Sequence, residues 1–239
     1  MLPSPKAAVA QPRPWPFLRN AFGRAANVLV HDNLTAYIIL AIFSIIDGAL
    51  MRNYRYSAKE LFSNAYPLTT WLAIIAFYFT LAAAMRVRKP EYRMSIVDAF
   101  GVTVSYLLVF IATVIGLFCF IVPGIWLSTR LALAPFCYVL DPGEAPYSGL
   151  DAIAASWRLT RAHFRPTMWL LLLQALLLVV PGILIEALAI LLFQRSHFSA
   201  YFSAPLFLLV NVYVWQVLCL SSIDWTLELR GREQALPGF

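Results

Sequence analysis

Charge is scarce in this chain. Only 13% of its 239 residues are Asp, Glu, Lys or Arg, about half the roughly 25% of an ordinary soluble domain. Cysteine is equally sparse. Cys119, Cys137 and Cys219 all lie within apolar runs, and an odd number in such surroundings excludes a disulfide framework. No H-E-x-x-H, paired C-x-x-C, Walker-type glycine loop or G-x-S-x-G occurs, so the familiar signatures of zinc hydrolases, nucleotide binders and serine hydrolases are missing. His31, His163 and His197 are too scattered to form a metal site, and the expected cofactor and metal content is none. Residues 1–16 contain no apolar h-region and do not read as a cleaved signal peptide.

Apolar residues are abundant. The AVILMFWYC set makes up 61% of the chain and the mean hydropathy is +0.74. Lipid is the natural solvent for this composition, and the expected fold is an all-α polytopic membrane bundle. Six runs approach the roughly 20 residues that a bilayer crossing needs: 34–51, 66–85, 101–122, 125–140, 167–193 and 204–223. The fourth is short and contains Arg130; the fifth is long and is interrupted by Pro181-Gly182. Residues 1–16 are expected to be a cytoplasmic tail, 17–225 one membrane domain, and 226–239 a C-terminal tail.

The few charges are unevenly placed. With the N-terminus inside, thirteen Lys and Arg fall on the cytoplasmic side and four on the other, with Arg130 left in the membrane. This bias predicts cytoplasmic termini in a cell inner membrane. Acidic lipid head groups are the expected partners of this basic layer, rather than nucleic acid. A membrane-protein partner or a second copy of the chain is compatible with the pattern.

The chain also repeats itself. His31, Thr35 and Tyr37 match His163, Thr167 and Trp169 at an offset of 132, and Leu18, Ala21 and Phe22 match Leu150, Ile153 and Ala154. These upstream segments read as amphipathic helices lying in the membrane interface. On the second, Trp157 and Phe164 are expected to dip toward acyl chains while Arg158, Arg161 and Arg165 meet head groups. Ser148-Gly-Leu-Asp151 resembles a capping box with Asp in the Glu position, and Ser95-Ile-Val-Asp98 starts a short helix. Ile46-Asp47-Gly48, Val122-Pro123-Gly124 and Val180-Pro181-Gly182 read as turns between paired helices. The expectation is three helix hairpins, about 17–85, 94–140 and 148–223, each preceded by an interfacial helix.

Asp47, Arg130 and Glu186 form the candidate intramembrane polar cluster. An intramembrane charge costs at least about 2.5–3.5 kcal/mol at a helix centre and should be paired or line a cavity. Arg130 is expected to pair with Glu186 or Asp47 as a packing clamp; the alternatives are an anion or lipid-head-group site around it, or snorkelling to water. Gln174, Asn211 and Gln216 are expected to provide interhelical hydrogen bonds.

The most distinctive stretch begins at Pro123-Gly124-Ile125-Trp126 and continues through Arg130 to Pro135. Asp141, Gly149-Leu150-Asp151-Ala152 and Ser156-Trp157-Arg158-Leu159-Thr160 follow. Residues 95–175 resemble the membrane domain associated with bacterial glycerophosphoryl diester phosphodiesterases, and related stand-alone six-helix inner-membrane proteins. The phosphodiesterases of that family carry their chemistry in a separate barrel with a His-Arg-Gly start and paired acidic metal ligands. This chain has no such barrel, so the resemblance implies the membrane scaffold without the hydrolase.

Three functions follow, in order of preference: a non-catalytic lipid-interacting or membrane-organising protein, a transporter or transport accessory with its site near Arg130, and a lipid-modifying enzyme. No catalytic residue is assigned.

Overall fold

A computed structural model describes residues 11–32, 38, 66–119, 121–140, 149–193 and 198–235. Apart from Ile38, the first predicted span lies outside them, as do Asp47 and the capping residue Ser148. All regular structure among the described residues is helical. The helices are α1 (Pro14–Asp32), α2 (Tyr66–Arg86), α3 (Ile96–Cys119) and α4 (Ile121–Leu131). They continue with α5 (Ala134–Leu140), α6 (Gly149–Ala162), α7 (Phe164–Phe193) and α8 (Phe198–Ala235). The chain divides into two compact units. One contains residues 1–17, 100–172 and 225–239; the other contains 18–99 and 173–224.

Two described helices are long and apolar enough to cross a membrane: Ile96–Gly116 of α3 and Phe164–Ile185 of α7. Only 22% of the first and 11% of the second is buried, whereas the core helix of a water-soluble protein would be mostly covered. Phe110, Ile115 and Phe118 on α3, and Leu176, Ile183 and Leu191 on α7, are more than half exposed. So much outward apolar surface fits lipid better than water.

α3 begins as its sequence predicts. The Ser95 amide donates to the Asp98 carboxylate at 3.0 Å, and the Asp98 amide donates to Ser95 Oγ at 3.1 Å. Two otherwise unpaired donors at the helix start are thereby satisfied. Beyond its C-terminus the chain turns back. A Cβ placed on Gly116 would come within 2.9 Å of the Gly124 Cα. Eight residues along one unbroken helix would separate by about 12 Å, so this contact requires a hairpin of α3 and α4. Glycine at both positions allows the two backbones to touch.

The structure corrects several local expectations. Pro123-Gly124 is not the turn itself. It occupies the first turn of α4, where proline's missing N–H costs little, and Gly124 serves the close helix contact. Pro181-Gly182 does not reverse the chain either, because α7 runs through it for 30 residues. Long apolar runs flank the pair, and an open backbone there would leave unsatisfied polar groups in an apolar setting. The single helix expected over 125–140 is divided at Ala132-Leu133 into α4 and the largely buried α5. Residues 226–235 are not a tail; they are the last turns of α8, with Thr226 and Leu229 buried. Trp225, just beyond the last predicted span, is fully buried. Its Nε1 donates to Thr167 Oγ1 at 3.1 Å, and Phe17 packs edge-on against its ring.

In the second unit, Leu18, Ala21, Ala25 and Val28 bury one stripe of α1 within the protein and Phe22 is only half-buried, whereas an interfacial helix would turn its apolar face to lipid. Gln174 Nε2 donates to Ser221 Oγ at 2.9 Å and to Ser222 Oγ at 3.0 Å. That is the expected interhelical hydrogen bond between α7 and α8.

Candidate functional site

α6 fixes the position of Arg130. Its buried face is made of Ala152, Ala155, Ser156, Leu159 and Thr160, mostly small residues that permit close packing against α4 and α5. Arg130 is the penultimate residue of α4, so its carbonyl has no partner within that helix. Ser156 Oγ donates to this oxygen at 2.7 Å and Thr160 Oγ1 at 3.3 Å. The Ser-Trp-x-Leu-Thr sequence thus ties one helix to the end of another, with its two hydroxyls on the buried side.

The Arg130 side chain enters an aromatic box. The guanidinium carbon lies 5.3 Å from the Trp126 ring centroid, 5.6 Å from Trp157 and 5.4 Å from Phe164. The two indoles meet edge to face at 5.1 Å. Trp126 is one helical turn before Arg130, Trp157 is supplied by α6, and Phe164 is the first residue of α7. Each ring face attracts a desolvated cation. None of them accepts the guanidinium hydrogen bonds, however. Nε and Nη1 of Arg130 are buried without a hydrogen-bond partner among the described residues. Arg161 is close enough for the two positive charges to repel, and its own side chain is exposed. The site combines one boxed cation, a second, exposed cation and two indoles still 40% and 38% exposed.

The helix α6 is arranged differently from its expected division into an acyl face and a head-group face. Leu150, Trp157 and Arg161 project from the same exposed side, within about 40° of one another at 100° per residue. Arg158 lies further round and pairs with Glu233 at 2.6 Å. Arg165 is exposed. The expected partners of Arg130 are not brought to it by anything described: Asp47 and the Glu186 side chain both fall outside the described residues.

One charged residue escaped the sequence reading. Asp224, only 7% exposed, receives hydrogen bonds from two arginines. Arg24 Nη2 approaches one carboxylate oxygen, while Arg88 Nε and Nη2 reach the other at 3.1 and 2.5 Å. Arg24 and Arg88, expected to face head groups, are thus engaged internally. The available signal was an acidic residue immediately after the last apolar run, at Ile223-Asp224.

His163 sits at the bend between α6 and α7, next to the box residue Phe164. Burial and the positive charge of Arg232 push its imidazole below the ordinary histidine range. Its Nδ1 is buried without a partner among the described residues. Among those residues no group of three or more potential metal ligands occurs.

No protein-family model, curated protein or solved structure matches the chain.

Proposed function

We propose that this is a non-catalytic, multi-pass protein of a bacterial inner membrane, with both termini cytoplasmic, that holds an anionic lipid head group at Arg130. The six-span, three-hairpin topology and the kinship of residues 95–175 with the phosphodiesterase membrane-domain family belong to the same proposal. The supporting observation is the state of Arg130. Its charge is oriented by three rings, two of its donors lack partners among the described residues, and Arg161 adds positive charge beside it. A phosphate oxygen pair suits such donors, because guanidinium–phosphate contacts are charge-assisted and often bidentate. Trp126 and Trp157 have the amphipathic character of residues at the membrane–water boundary, where head group and acyl chain divide.

The test is lipid retention by the full chain in nanodiscs that mix phosphatidylglycerol with phosphatidylcholine. R130Q is expected to lower phosphatidylglycerol retention about tenfold with little effect on phosphatidylcholine, the loss of one charged hydrogen-bonding partner. R158Q is expected to change it less than twofold, since Arg158 is engaged by Glu233. Equal losses from both variants would contradict the assignment of the head group to the aromatic box.

A further inference from the structure

One stripe of α2 lines an unfilled groove. Ile75, Tyr78, Phe79, Ala82 and Arg86 form one wall. Their spacing of three, four, seven and eleven residues from Ile75 places them along a single helix face. The opposite wall comes from the turn after α2 and the start of α3, through Pro90, Tyr92, Arg93, Met94 and Ile96. The cavity is about 660 Å³, within the range of small-molecule and cofactor sites. From Ile75 to Arg86 the wall runs about 16 Å.

The groove is graded in polarity. Ile75 and Phe79 make its far end apolar and exposed, while Arg86 and Arg93 make the near end cationic. Between them in sequence, Arg88 is engaged by Asp224. Neither Arg86 nor Arg93 forms an ion pair among the described residues. Charge placement alone would explain two arginines at the end of a span. It does not explain an open channel that joins them to a strip of aromatic and aliphatic side chains. A chain with an anionic head complements both halves.

We propose that this groove binds an anionic phospholipid, one acyl chain lying along Ile75, Phe79 and Ala82 and the phosphate between Arg86 and Arg93. The assignment rests on the chain being a membrane protein and is independent of the Arg130 site.

The experiment uses the full chain in nanodiscs, with phosphatidylglycerol or phosphatidylcholine carrying a photoreactive acyl chain, and maps adducts by peptide mass spectrometry. Wild-type protein is expected to be labelled within residues 75–99, and more by phosphatidylglycerol. R86Q/R93Q is expected to reduce apparent phosphatidylglycerol affinity there roughly 30-fold, from about 1 kcal/mol per basic residue, leaving phosphatidylcholine labelling within twofold. A82F fills the groove and is expected to remove labelling by both lipids. Absence of wild-type adducts in 75–99, equal labelling by the two lipids, or unchanged labelling in R86Q/R93Q would overturn the proposal. Suppression by millimolar inorganic phosphate but not by unlabelled phosphatidylglycerol would assign a free-anion site instead, and would equally overturn it. Adducts around Trp126, Trp157 and Phe164 fall on other peptides, so failure at either site is read separately from the other.

Discussion

Arg130 is half-buried and Asp224 buried, and their surroundings treat them in opposite ways. Asp224 is given two arginines, which satisfy its carboxylate on both oxygens. Arg130 is given three rings and no described acid. A carboxylate with a complete set of partners is a fastening. A guanidinium ringed by aromatics, with two donors unpartnered among the described residues, is the charge we propose meets a lipid head group. On the proposed function, the contrast is between a structural charge and a binding charge.

Removing Asp224 should therefore have the largest effect on stability. D224A leaves Arg24 and Arg88 facing each other without their shared anion and is expected to cost about 3 kcal/mol, the low end for a broken buried pair because both arginines reach solvent. Denaturant unfolding in detergent reads this directly. R24A should cost less, since Arg88 still holds the carboxylate; equal costs would mean that the two arginines act as one unit.

Gly116→Ala comes next. The new methyl would press on the Gly124 backbone, not on a side chain that can swing away. A loss of about 1–2 kcal/mol is expected from overpacking, with weaker phosphatidylglycerol retention because α4 carries Trp126 and Arg130. Unchanged stability with unchanged retention would show that α3 and α4 can part without disturbing the box.

A smaller effect should follow pH. The folded state holds His163 neutral more firmly than the unfolded chain does, so the unfolded chain takes up the proton first. Stability should begin to fall as pH drops below the ordinary value of 6.5, and the loss is complete once the depressed folded value is passed. Melting temperatures measured from about pH 7.5 to about pH 5.5 should show this slope, and H163Q should flatten it. A slope unchanged in H163Q would place the titrating group elsewhere.

The smallest change in stability is expected where the functional loss is greatest. R130L keeps an apolar side chain among the rings and removes two donors that are unpartnered among the described residues, so unfolding free energy should move by less than about 1 kcal/mol, or rise. A loss comparable to that of D224A would make Arg130 a structural charge and remove the distinction between the two sites.

Local patterns were the legible part of the fold. Ser95 and Asp98 lie three apart and cap α3 reciprocally, and α1 is an amphipathic helix, although its buried stripe faces the protein rather than lipid. The same reading pointed to Arg130 as the exceptional charge in an apolar stretch. It did not extend to the surroundings of that charge. Trp157 and Phe164 are 27 and 34 residues further along the chain, and nothing local specifies that α6 folds back with its hydroxyl face on α4. Asp224 was opaque for the same reason: its partners come from α1 and from the turn after α2. Proline and glycine misled where their local preference for a turn was overridden. At Pro123 the first turn of a helix tolerates the missing N–H, and at Pro181 an apolar setting favours continued helix.

The most direct measurement is head-group photocrosslinking of the full chain with phosphatidylglycerol, mapped residue by residue. Adducts concentrated on the segments carrying Trp126, Arg130, Trp157 and Arg161, and lost in R130L while that variant remains folded, are the expected result. Head-group adducts distributed evenly over the exposed arginines, or undiminished in folded R130L, would contradict the account.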